Sequence, residues 1–531
     1  MIKQQMKLGI LCVTGLLAIV ACATNPQPKL GIKWLPNCPG EPGDALPSSF
    51  LARVECGIAT VPLDHLNPMG GTLNLDITRV TAQEPQQREG AIFINYDAPG
   101  DLAAVSLAWL WTPESEHSKG EVYEHLSKAY DVIGLTLRGT GNTPDSQLIC
   151  QSDEVITAQN DITEDRSPAN INAIRHNAGV LARGCVNQRL APYINTEQAA
   201  RDLEFVRIEL NEKKLNYLGY SYSTWLGAWY AGLFPQHVGR MVLDSSMDWT
   251  SSIQTASLTL APEKERAFSR FIEQEAVANP HAYQMGEDPQ AVRAVFMGLL
   301  PEVRAALRSN FYDFSNVAYL MAAQALSNWL REFPGINDSS LHGKAQAHQF
   351  SPDADVNKEA AHAFTGLLVA VRKPALWNGI KPGPLKLSPE QSVRSTMMCN
   401  DSVSAGEAFW TEKENQYAVE YPVGGSFFPA RHCAGWSGKQ LTGVPLQNLA
   451  QVDSIVMIQP EFGDLTPTAG AFAAYRSLPN TYMTVLKGAY LNEATFSFYS
   501  DACVNEKVVN YLAYGRKPER FSTCAAPAPD Q

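Results

Sequence analysis

Histidine is scarce in this 531-residue chain: ten are present, and none follows His432. Any role that needs an imidazole beyond that point is therefore excluded. No CxxC pair occurs, so the spacing of a structural zinc site is missing and no metal is expected. No glycine-rich dinucleotide motif follows a strand-like segment, which removes the basis for a Rossmann-type cofactor enzyme, and no cofactor is expected. Basic residues are outnumbered, 42 against 54, and the net charge of -12 disfavours nucleic acid as a partner. Internal repeats are absent. After the amino terminus no apolar run reaches about 18 residues, so the mature chain is not expected to span a membrane.

What is present begins with Lys3 and Lys7 ahead of an apolar run from Leu8 to Val20. This is the layout of an export signal, to be left out of the fold. Ile19-Val20-Ala21-Cys22 resembles the lipobox of bacterial lipoproteins, which implies removal of residues 1–21 and acylation of Cys22. Ala23 is similar to the residue that follows the lipidated cysteine in outer-membrane lipoproteins. The expected location is thus the bacterial cell envelope, at the outer membrane, with the protein anchored through lipid. Eight cysteines remain once Cys12 and Cys22 are set aside, an even number that suits an oxidising compartment. About 105 connectivities are possible for eight cysteines. Neighbour pairing closes four short loops, Cys38 with Cys56, Cys150 with Cys185, Cys399 with Cys433 and Cys503 with Cys524, and is the pattern expected.

Short apolar segments bounded by turn residues recur at 90–95, 130–135, 215–219, 240–244, 454–458 and 482–486. Helical patterns lie between some of them, notably 196–212 and 223–234, the latter stopped by Pro235. Alternation of this kind predicts an α/β fold with a mostly parallel sheet. From about 250 to 395 the alternation gives way to helical spacing, as in Val292, Val295, Phe296, Leu299 and Leu300, and 316–333 is another long helical candidate. The expected organisation is residues 22–250 as the first part of the core, 251–395 as an inserted helical cap, and 396–531 as the rest of the core.

Gly219-Tyr220-Ser221-Tyr222-Ser223 follows one apolar segment and precedes a helical one. A serine hydroxyl is a weak nucleophile, so a fold that uses one must expose it, deprotonate it and stabilise the resulting oxyanion. A G-x-S-x-G turn performs the first task by holding serine in a strained strand-to-helix corner flanked by small residues. Ser221 is the candidate nucleophile, with Gly219 and Ser223 as its flanks.

From these residues, with Val61-Pro62-Leu63-Asp64-His65, Arg138-Gly139-Thr140-Gly141-Asn142 and Thr466-Pro467, the chain resembles the tripeptidyl-aminopeptidase-like branch of the proline iminopeptidase serine peptidases. The resemblance implies an α/β-hydrolase fold with an inserted helical cap, and an exopeptidase or esterase acting on a small peptide or ester. It also places Cys503 and Cys524 where the family closes its chain. The triad order on this fold is Ser, then acid, then His. The family's Asp-x-x-Thr-Pro register holds Gly463 here, and Asp464, one residue late, is the candidate acid; Glu461 and Asp244 are the lesser ones. The family's histidine position is occupied by Leu491. Backbone N–H groups of Tyr222 and Ala98 are the candidate oxyanion donors, although the family's glycine-rich loop has become Asn95-Tyr96-Asp97-Ala98-Pro99-Gly100-Asp101. The departures all fall on catalytic parts. Two functions are therefore expected to compete: a serine hydrolase, and a non-catalytic descendant that binds a peptide or protein partner in the old cleft.

Overall fold

The computed structural model describes residues 29–39, 46–95, 100–115, 121–309, 311, 316–372, 382–463, 465–490, 493–496 and 502–526. Twelve strands occur among them: β1 (Gly31–Trp34), β2 (Val54–Pro62), β3 (Thr72–Val80), β4 (Gly90–Asn95), β5 (Tyr130–Leu135), β6 (Gln151–Ile156), β7 (Leu215–Tyr220), β8 (Val238–Asp244), β9 (Gly383–Lys386), β10 (Ile455–Phe462), β11 (Thr481–Tyr490) and β12 (Phe521–Ala525). Ten form one sheet in the order β1-β2-β3-β5-β4-β7-β8-β10-β11-β12. From β5 to β12 all neighbours run parallel; β1, β2 and β3 add an antiparallel edge. Every residue of β4 and β5 is buried, the pattern of parallel strands covered on both faces. The segments predicted as strands are the central members of this sheet.

Strand β4 lies between β5 on one side and β7 on the other, so the chain leaves it in one direction and returns in the opposite one. A crevice opens at the carboxyl ends of parallel strands where the order reverses in this way, and ligands of open α/β sheets lie there. Asn95 ends β4 in register with Gly219 near the end of β7, which brings the Ser221 turn to that crevice.

Between β8 and β10 no described residue joins the main sheet. The interval is helical apart from β9, which pairs antiparallel with β6 as a separate two-stranded ribbon. Its helices bury their own core, including Phe268, Phe296, Phe311, Leu320, Leu326 and Phe364. The boundary expected near 395 falls inside a helix, Pro389–Asn400, that reaches from the cap toward the sheet. No helix among the described residues is long and apolar enough to cross a membrane.

Four disulfides tie the frame, Cys38–Cys56, Cys150–Cys185, Cys399–Cys433 and Cys503–Cys524. A buried ionic cluster does the same near the start of the sheet. Arg138, fully buried, donates to both carboxylate oxygens of Asp202 at 2.8 and 2.7 Å and to the carbonyls of Leu63 and Tyr193, while His65 lies 2.7 Å from Asp202. The Val61–His65 and Arg138–Asn142 segments singled out in the sequence are thus joined by scaffold contacts, and Thr140 of the second also lines the cavity that holds Ser221.

Candidate active site

The turn at Ser221 follows from its neighbours. A Cβ at Gly219 would lie 2.5 Å from Cε1 of Tyr217 and 2.7 Å from the carbonyl oxygen of Ser223, so only glycine lets strand and helix pass. Ser221 takes φ 52°, ψ -119°, a conformation that costs a serine about 1–3 kcal/mol. Its N–H donates to the carbonyl of Asp244 at 3.1 Å, and its carbonyl accepts from the N–H and hydroxyl of Thr224 at 3.0 and 2.6 Å. Ser223, fully buried, donates its hydroxyl to Asn95 Oδ1 at 3.0 Å and so fastens the elbow helix, Tyr222–Leu233, to the end of β4. These bonds hold the strained corner in place.

Ser221 is 7% exposed and lines a cavity of about 240 Å³ together with Tyr222, Ser246, Met247, Thr466 and Arg308. Its hydroxyl has no hydrogen-bond partner among the described residues. None of the described residues that line this cavity is a histidine.

The other sequence candidates divide. Asp464, Ala98, Asp97, Leu491 and Cys22 lie outside the described residues. Asp244 ends β8 fully buried. Its carboxylate accepts from the N–H groups of Ala494 and Thr495 at 3.1 and 2.7 Å, and from the hydroxyls of Thr495 and Ser245 at 2.6 and 3.1 Å. It therefore anchors the chain that follows β11, and no described histidine reaches it. Burial raises it to about 6. Glu461 is engaged at the end of β11, accepting from the N–H of Gly488 at 2.8 Å and pairing with Lys487. His237 lies in the turn that follows the carboxyl end of the elbow helix, 2.7 Å from Glu204. His432 is 2% exposed with Nε2 2.9 Å from the carbonyl of Ser395 and Nδ1 3.0 Å from that of Pro429. Both of its nitrogens are thus engaged, and the Sγ atoms of Cys399 and Cys433 beside it are consumed by their disulfide, so this cluster offers no metal ligands.

One group at the site had no sign in the sequence. Asp401, fully buried, accepts from the N–H of Thr196 at 2.8 Å and from its hydroxyl. The same Thr196 oxygen lies 2.5 Å from the Tyr222 hydroxyl, itself 3.0 Å from Met397 Sδ. This chain joins the first residue of the elbow helix to the Pro389–Asn400 helix that walls the cavity through Val393 and Met397. Burial raises Asp401 to about 7.

With that geometry in place, comparison with known proteins is decisive. Residues 113–280 match the family model of the alpha/beta hydrolase fold, and residues 421–524 that of the TAP-like proteins. The chain has the α/β-hydrolase fold with a TAP-like region. It is 26% identical over 481 residues to a tripeptidyl aminopeptidase of Streptomyces lividans, covering 89% of this chain and 84% of that one. A tripeptidyl aminopeptidase of Streptomyces coelicolor is similar to the same degree, 26% over 481 residues, with 89% and 83% covered. Serine protease Hip1 of Mycobacterium tuberculosis is 28% identical over 290 residues, 52% of this chain and 51% of its own length. The α/β hydrolase is thus of the serine peptidase or esterase type, with a TAP-like carboxy-terminal region.

Proposed function

We propose that this α/β hydrolase is held in the bacterial cell envelope, at the outer membrane, by a lipid on Cys22, and takes peptides or small esters into the Ser221 cleft. The observation that carries the cleft reading is the strained Ser221 at the crevice, its hydroxyl on a 240 Å³ cavity. The aminopeptidase and protease names of its relatives support peptides as the ligand class. Ser221 attacks, the N–H of Tyr222 helps to hold the oxyanion, and Asp464 supports. Turnover falls several orders of magnitude below that of a complete triad, because among the described residues no histidine is placed to receive the proton on Ser221; what remains comes from binding and oxyanion stabilisation.

A second reading is favoured by Leu491, which stands where the family carries its base: a non-catalytic protein that holds a peptide or protein partner. Labelling with a fluorophosphonate probe separates the two. The hydrolase reading expects slow labelling of the wild type that disappears in Ser221→Ala. No adduct at Ser221 after prolonged exposure would sink it and leave the binding role. The anchor has its own measurement: palmitate incorporation and membrane recovery are expected to be lost in Cys22→Ala, and unchanged incorporation in that variant would overturn it.

A further inference from the structure

Exposed apolar side chains collect at one end of the antiparallel edge of the sheet. Leu30, Leu66 and Met69 are 38, 57 and 76% exposed. Strand β1 opens at Gly31, which pairs with Thr60 near the end of β2, so Leu30 lies level with Val61. Leu66 and Met69 stand in the turn 63–71 that carries β2 into β3, directly beyond that end. Single exposed leucines are ordinary on a protein surface, whereas long apolar side chains grouped on neighbouring segments mark a surface that takes a partner.

The turn is held by its own bonds. The N–H of Leu63 donates to the carbonyl of Gly71 at 2.9 Å, that of Asn67 to Asp64 at 3.0 Å and that of Gly70 to Asn67 at 2.9 Å. The Asp64 carboxylate accepts from the N–H of Leu66 at 2.9 Å and from Gln198 Nε2 at 2.8 Å, while the N–H of His65 donates to Gln198 Oε1 at 2.9 Å. Arg138 holds the Leu63 carbonyl from within. A backbone fixed in this way loses little freedom when the side chains it presents enter another medium.

The patch and the Ser221 crevice share one end of the sheet. Strand β3 pairs with β5 only from Ile77, opposite Leu135, so residues 72–76 and the turn before them run past the carboxyl end of β5. Asn95 and Gly219 lie level with that end on β4 and β7. Cys22 precedes Leu30 by eight residues. The reach of those residues, fully extended, is at most about 28 Å, whereas a folded chain of this length is about 60 Å across. A lipid on Cys22 therefore keeps the bilayer near the end of β1 that carries the patch. Lys29, exposed beside Leu30, brings positive charge to where phospholipid phosphates lie. Tethering also raises the effective concentration of bilayer at the patch, so that a contact too weak to bind alone is made.

We propose that Leu30, Leu66 and Met69 form a second, non-covalent seat on the phospholipid bilayer, which turns the crevice end of the sheet toward the membrane. This inference rests on the lipid reading of Cys22 above. Its test uses the full lipidated chain in vesicles of phosphatidylethanolamine and phosphatidylglycerol that carry a nitroxide on their acyl chains. An environment-sensitive fluorophore is attached at Leu66→Cys, at Met69→Cys or, for comparison, at Ile208→Cys. The eight cysteines of the frame are paired in disulfides, so the new thiol alone takes the label. Ile208, also 57% exposed, stands near the end of the helix Thr196–Glu209 that leads into β7, at the opposite end of the sheet. Thermal unfolding first establishes that the labelled proteins fold. Quenching at positions 66 and 69 is expected to exceed that at 208 by roughly threefold or more, as for side chains seated in the headgroup and acyl boundary. If the proteins float with the vesicles but quenching is alike at all three positions, the bilayer seat is overturned and the lipid anchor stands. If they do not float and incorporate no palmitate, the Cys22 reading itself fails and this inference goes with it.

Discussion

Replacing Asp401 by asparagine is expected to stabilise the protein above neutral pH by about 4 kcal/mol while leaving it nearly unchanged near pH 4. Burial raises the Asp401 carboxyl from its ordinary 3.8 to about 7. The folded state therefore holds this proton over a range in which the unfolded chain has released it. The stability that this group contributes is fully present below about pH 4 and is lost as pH rises through about 7. Asparagine keeps the acceptor for the Thr196 N–H and adds a donor toward the Thr196 hydroxyl, much as the protonated acid does, and it never ionises. Urea unfolding from pH 4.5 to 8 reads the difference. Wild type should lose stability relative to Asp401→Asn across that range, and parallel curves would show that the buried carboxyl does not titrate there. The same variant bears on the site, because Asp401 acts through Thr196 on Tyr222, whose peptide N–H is the proposed oxyanion donor.

The central strands and the elbow were legible because their causes are local. Residues 90–95 and 130–135 announce buried parallel strands by being apolar throughout, and Gly219 with Ser221 announces a corner that few other residue pairs could occupy. Strands β2, β3 and β12 went unread. β3 alternates polar and apolar residues, and β12 is a short edge strand with exposed alternate positions. Such segments acquire identity only from their neighbours. Asp401 and the contact of Arg308 with the Val423 carbonyl were invisible for a different reason. The contacts that define them join residues 205 and 115 positions apart, Asp401 with Thr196 and Arg308 with Val423, and no window of sequence contains both partners. Asp244 shows the limit of a motif. It was a lesser candidate for the triad acid, yet its oxygens are taken up by four donors, three of them in the chain that follows β11 and the fourth the adjacent Ser245 hydroxyl.

That anchoring is what makes restoration of the missing base a sharp test. Glu461 holds Gly488 on one side of position 491, and Asp244 holds Ala494 and Thr495 on the other. Asp244 also accepts the N–H of Ser221 on its own carbonyl, so the tethered segment ends beside the elbow. Leu491→His returns an imidazole to the place in the sequence where the family carries one, between the two tethered stretches, and the Ser221 hydroxyl has no described partner to displace. Leu491→His combined with Gly463→Asp supplies both a base and the family's register for the acid, and general-base assistance of this kind is worth about 10²–10⁴-fold in rate. Hydrolysis of a p-nitrophenyl ester or an alanyl anilide by the double variant should exceed that of the wild type by at least the lower figure. The gain should vanish when Ser221→Ala is added. A folded double variant that hydrolyses neither substrate faster than wild type would mean that the oxyanion loop at residues 95–101, and not the base alone, has been remade for another purpose.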